Sequence, residues 1–179
     1  MKIIIIIVAF FCAQAYSQEN ASPDNVMSSY ARAVNAWDVD SMSDLMHPDE
    51  LKRLREAFNN AFSGDKSESA RAALLPLLSA KTYSEFQNLS DREVYRRMVE
   101  YIEKLSPELL TVMASAKYEI TGQQQSNDEV IVLYRLTMNV EGQSISQDAV
   151  QRVKQHEGSW YLMLPPESEA TIAGIDAQF

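Results

Sequence analysis

The chain has 179 residues, 46% of them apolar, and a net charge of −9 from 16 basic and 25 acidic side chains. That length suits one domain with its own core. The acidic balance argues against nucleic-acid binding, where Lys and Arg must neutralise phosphates, and against a polybasic membrane contact.

The N-terminal segment reads as an export signal over residues 1–15. Lys2 supplies the positive start, Ile3 to Cys12 form an apolar run, and Ala13-Gln14-Ala15 is an A-x-A cleavage site. The run falls well short of the roughly 20 residues that cross a bilayer, so no stable membrane anchor is expected. Phe11 stands before Cys12, where a lipoprotein signal needs a small residue. Cys12 is the only cysteine. A mature chain starting near Tyr16 therefore has no disulfide, no thiolate metal site and no cysteine nucleophile. A cysteine-free exported chain fits the bacterial periplasm, with secretion as the alternative. Residues 16–22 read as a flexible leader.

Helical periodicity runs from residue 23 to about residue 114. Ser22-Pro23-Asp24 opens a first helix whose Val26, Tyr30, Ala33, Val34 and Trp37 share one face. Asp40 is placed to cap a short helix with Met42, Leu45 and Met46. His47-Pro48 opens the next, carrying Leu51, Leu54, Phe58 and Phe62, and Ser63-Gly64-Asp65 closes it. Residues 67–79 are weakly helical and broken at Pro76. Ser90-Asp91-Arg92-Glu93 has the spacing of a capping box for a helix with Val94, Met98, Ile102 and Leu105. Ser106-Pro107-Glu108 begins a last short helix.

Strand alternation follows. Tyr118 and Ile120 share a face in 117–121, and Val130, Val132, Tyr134, Leu136, Met138 and Val140 share one in 129–140. Glu141-Gly142 and Glu157-Gly158 are each suited to a two-residue hairpin turn. Those turns pair Met138 with Ile145, Tyr134 with Ala149, Val130 with Val153 and Val153 with Leu162. Both turns bring the apolar residues to one face, and a slip of one residue would reverse every side chain. Helices followed by a meander predict an α+β domain over residues 23–164, with N-terminal helices packed on a curved C-terminal antiparallel sheet. Residues 165–179 read as a C-terminal tail.

This order, with Trp37 on the first helix, Met42 and Leu45 on a short second one, the His47-Pro48 helix and an ending of Gly158-Ser159-Trp160-Tyr161-Leu162, resembles the nuclear transport factor 2-like superfamily. The resemblance implies a cone, a curved sheet wrapped around a long helix. Its members include isomerases, dehydratases, cyclases and non-catalytic binding domains. Residues 64–114 are longer than the compact family pattern, and no motif here carries over catalytic residues.

The candidate ligand-binding residues are Tyr118, Tyr134, Gln147 and Gln151, four polar or amphipathic groups on the apolar face of the meander. Buried amides need partners, and a few oriented polar groups on an apolar wall make a small-molecule pocket. The alternative is a filled core with the glutamines at its rim. The opposite face offers Ile131, Leu133, Val150, Tyr161 and Met163 as an apolar patch rimmed by Arg135, Arg152 and Lys154, which suggests a homodimer. A fold-back of residues 165–179 over the patch would serve equally. Arg135 and Asp148 read as a cross-strand pair.

No catalytic residue, metal site or cofactor is assigned. H-E-x-x-H, G-x-S-x-G, phosphate-loop and calcium-loop spacings do not occur. His47 and His156, distant in the chain, read as a capping or surface residue and a turn-side residue. The acidic run Asp38, Asp40, Asp44, Asp49 and Glu50 lies around helix starts, where carboxylates favour the exposed N–H groups. The function expected is an exported, non-enzymatic domain that binds a small apolar ligand or a protein partner. The alternative is a cone-type lyase or isomerase acting on a small hydrophobic substrate.

Overall fold

A computed structural model describes residues 20–179. Residues 1–15, read as an export signal, with Cys12 and most of the segment read as a leader, lie outside the described residues.

The helical half begins with α1 (Pro23–Ala36), where Ser22 Oγ accepts from the Asn25 N–H at 3.2 Å. It stops at Trp37, whose left-handed backbone lets its N–H return to the Ala33 and Val34 carbonyls. Helix α2 (Val39–Asp44) is capped by Asp38, not by Asp40 as the sequence suggested. Asp38 has the extended-side position and accepts from both the N–H and hydroxyl of Ser41. Asp40 instead lies inside the first turn and pairs with Arg96 at 2.7 Å. Helix α3 (Pro48–Ser63) follows, capped by His47.

Helix α4 (Ser67–Leu74) ends in a 3-10 turn over Pro76–Leu78, as Pro76 dictates. Helix α5 (Tyr83–Gln87), capped by Thr82, was not legible in the sequence. It is too short for a periodic stripe, and only Phe86 is buried from it. Helix α6 (Asp91–Leu105) takes its cap from Ser90, which accepts from the Glu93 N–H at 3.1 Å. Glu93 itself turns to Arg96 and Arg97. Helix α7 (Pro107–Ala114) completes the half.

Strands β1 (Lys117–Ser126), β2 (Glu129–Val140), β3 (Gln143–His156) and β4 (Ser159–Leu162) form one antiparallel sheet in sequence order. The observed register pairs Met138 with Ile145, Tyr134 with Ala149, Val130 with Val153 and Val153 with Leu162, as the turn spacing required. Glu141 and Gly142 have φ of 51° and 80°, and Glu157 and Gly158 have 50° and 85°. Two successive positive φ values give the hairpin twist that matches flanking strands. Strand β1 is longer than expected and carries a bulge between Ile120 and Gly122.

The helices pack on one face of this sheet, an α+β architecture. Phe58, Phe62, Phe86, Leu54, Leu78 and Val94 fill the helical side and continue into Val132, Val153 and Leu162 of the sheet. Phe62 and Phe86 meet edge to face with centroids 4.8 Å apart. A backbone seam joins the halves: the Leu162 N–H donates to the Leu45 carbonyl, and the His47 N–H donates to the Leu162 carbonyl, both at 2.8 Å. Residues 165–179 are no loose tail. Helix α8 (Pro166–Gln178) packs on α3 and buries Ile172 and Ile175 in the common core. Among the described residues, no helix is long and apolar enough to cross a membrane.

Candidate functional site

The inner face of the sheet changes character along its length. At one end Val130, Val132, Val153 and Leu162 are sealed under the helices. Toward the β2–β3 turn the cover thins. Leu136 and Met138 are half-buried, Gln147 is exposed, and Ile145 is 46% exposed. The twelve- and fourteen-residue strands β2 and β3 outrun β4, which has four. Strand β1 pairs with β2 as far as Thr137, so the hairpin beyond it, 138–140 with 143–145, is a two-stranded arm. The outer face at the root of this arm is polar, with Thr137 and Ser146 hydroxyls 2.8 Å apart and Arg135 paired to Asp148. The arm's inner face presents Met138 and Ile145, with Leu136 at its root.

Helix α7 packs on α1, α6 and β2. Its Leu109, Leu110, Val112 and Met113 are all half-buried, none fully. Just before it, Ile102 and Leu105 at the end of α6 are 41% and 64% exposed. A soluble helix ordinarily turns such residues inward.

Between the sealed end and the arm stands a cluster of phenols. Tyr118 and Tyr134, singled out in the sequence, lie with ring centroids 6.0 Å apart. They are joined by Tyr30 from α1 and Tyr95 from α6, whose hydroxyls hydrogen-bond one another. Burial pushes the Tyr30, Tyr95 and Tyr118 pKa values above the ordinary phenol range. For Tyr30 and Tyr118 the next contributions come from neighbouring phenols. Sequence reading placed Tyr30 on the core stripe and passed over Tyr95. Nothing local distinguishes a tyrosine that meets three others across four elements.

The two glutamines part company. Gln151 is 8% exposed, and its Nε2 donates to the Met163 carbonyl at 2.7 Å and the Arg152 carbonyl at 2.9 Å. The amide is thus spent on backbone, one carbonyl of β3 itself and one of the chain that leaves β4. Gln147 is exposed at the root of the arm, opposite Leu136. Neither faces an enclosed hollow with a free donor.

The outer face is smaller as a patch than its residue list implied. Leu133 and Val150 stand opposite one another, 36% and 50% exposed, with Ile131 and Tyr161 half-buried. Met163 is buried and drops out of the patch. Glu169 of α8 reaches Arg152 on this face at 3.4 Å and also pairs with Arg53, so α8 guards the patch's edge.

The acidic run resolves into caps and ion pairs: Asp38 on Ser41, Asp40 with Arg96, Asp44 with Arg92 and Glu50 with Arg53. Among the described residues, no group of three or more His, Cys, Asp or Glu side chains could hold a metal ion. A groove of about 450 Å3 lies along Trp37, Asp38, Asp40, Arg96, Glu100 and Glu103. Its polar side chains are already engaged within the chain, Asp38 with Ser41 and Lys104 with Ser79. Arg96 pairs with Asp40 and Glu100, and the Trp37 indole N–H donates to Glu103 at 3.0 Å. His47, read as a capping or surface residue, caps α3 with a buried ring, and its centroid lies 5.3 Å from that of the turn-side His156. No protein-family model matches the chain, and no curated protein matches its sequence to a significant degree.

Proposed function

We propose that this chain is an exported, non-enzymatic binding domain whose inner-face arm holds an apolar segment of a protein partner. The observation that carries this reading is the uncovered arm, where Ile145 is 46% exposed beside half-buried Met138. A small-molecule site encloses most of its ligand. The arm is open on one side, so its apolar surface suits a broad occupant better than a small one. The net charge of −9 favours a partner segment with basic flanks through electrostatic steering. The element order supports the likeness to the nuclear transport factor 2-like superfamily, which includes non-catalytic binding domains. Export rests on residues 1–15, with the periplasm as the preferred address. The acid–base alternative is not favoured, because the tyrosine cluster is perturbed by burial and by other phenols.

Native mass spectrometry of protein purified from its own host tests this against an Ile145→Glu, Leu105→Glu variant. The expected result is a chain beginning near Tyr16 with a stoichiometric protein partner, lost in the variant while its thermal midpoint holds. A retained small-molecule mass on the wild type would favour the apolar-ligand reading instead. A bare chain, or a partner that survives both substitutions, would sink the proposal.

A homodimer through the outer face is a second reading, carried by Leu133 and Val150 standing exposed and opposed. Sedimentation of the mature protein would show a dimer that Val150→Glu dissociates.

A further inference from the structure

The N-cap of α3 is unusual in being a histidine ring. His47 Nδ1 accepts from the Asp49 N–H at 3.2 Å, with the side chain 2% exposed. An acceptor nitrogen must carry a lone pair, so in the neutral ring the proton resides on Nε2. That Nε2 is buried with no hydrogen-bond partner. Proton uptake can therefore occur only at Nδ1, the capping atom. The same residue's backbone N–H makes one of the two seam bonds to Leu162.

We infer that His47 is a proton-operated cap: protonation at Nδ1 converts the acceptor to a donor, releases the Asp49 N–H, and loosens the seam between α3 and β4. The new N–H bond forms to a proton from solvent, and no other bond of the ring changes.

The groups around the ring decide which state the fold prefers. From α3, Asp49 approaches Nδ1 to 3.9 Å and Glu50 contributes a second negative charge; both favour the imidazolium. Asp49 is 78% exposed, which weakens its pull through solvent screening. Glu50 is already engaged by Arg53 at 2.7 Å. From β3, Lys154 and His156 oppose a positive charge. From β4, the Tyr161 ring packs edge-on with its centroid 6.1 Å away and adds apolar burial. The positive end of the α3 dipole also faces the ring. Burial is the largest influence, and the balance lowers the His47 pKa below its ordinary value of 6.5. The folded chain thus binds fewer protons than the unfolded one as the pH drops below 6.5. The cap's contribution is complete above that value and is lost as pH falls toward the folded pKa.

Hydrogen exchange of the full mature chain, normalised for intrinsic rates, tests this at about pH 7.5 and about pH 5. In the wild type, protection of residues 45–51 and 159–163 should fall about tenfold at the lower pH relative to α6. His47→Asn supplies a cap that does not titrate and should hold protection level at both. Equal protection of the wild type at both pH values would overturn the inference. So would the same acid loss in His47→Asn. Should that variant not fold, the wild type suffices by NMR: the His47 ring should titrate below 6.5 together with the Asp49 amide shift. Asp49 moving with a different midpoint would refute the cap as the titrating element.

Discussion

A phenol in water and a phenol against other phenols differ in what it costs to ionise them. Tyr30, Tyr95 and Tyr118 are all raised, with burial the first cause in each. Their folded values exceed an unfolded value near 10, so stability is intact below that pH. It falls as pH rises beyond, because the unfolded chain gives up protons the folded one keeps. Phenolate absorbance should therefore show part of the eight-tyrosine titration lagging well past the ordinary range, with Tyr118→Phe removing one lagging group. Simultaneous titration of all eight near the model-compound value would contradict the cluster. Gln151 makes the complementary point. The alternation of β3 placed an amide on the inner face, and burial demanded partners for it. The adjacent Arg152 carbonyl supplied one, and only the path of the chain after β4 supplied the other, the Met163 carbonyl.

Among the elements, the hairpin turns were the most legible in the chain, because they depend on two adjacent residues. Gly158 has φ of 85° with nothing within 4 Å of an added Cβ. The cost of Gly158→Ala is then conformational, about 1–2 kcal/mol. Gly174, inside α8 and also facing open space, requires no positive φ. Gly174→Ala should stabilise by about 0.5–1 kcal/mol. Opposite shifts of the two urea midpoints are expected, and shifts of the same sign would refute the conformational account. Caps were legible to within two residues. The sequence pointed to Asp40, and the backbone direction after Trp37 selects Asp38 two residues earlier. Helix α5 escaped notice because one buried residue, Phe86, makes no pattern.

For the whole molecule, α8 is the element that sequence patterning could least place. Its isoleucines were visible, and the destination read for them was the outer sheet face, to which the structure adds a second, the core. It takes both in part, burying Ile172 and Ile175 while Glu169 spans Arg53 and Arg152. Those ion pairs are partly exposed, so each is worth roughly 0–1 kcal/mol. Burial of the two isoleucines is worth about 3–6 kcal/mol. A chain ending at Pro165 should lose most of that latter amount, a large part of a domain's usual 5–15 kcal/mol. Glu169→Gln should move the unfolding midpoint little. A truncated chain as stable as the full one would show that α8 is an accessory rather than a wall of the core.

Local chemistry was enough to set the α+β class, the strand register and the two glycine turns, since each is governed by residues adjacent in the chain or at a fixed period along it. The assembly of Tyr30, Tyr95, Tyr118 and Tyr134, the meeting of His47 with His156, the tying of Gln151 and the uncovered arm were settled only when the helices packed on the sheet. Contacts between distant segments depend on where packed surfaces run out, and periodicity within one element carries no record of where its neighbour stops.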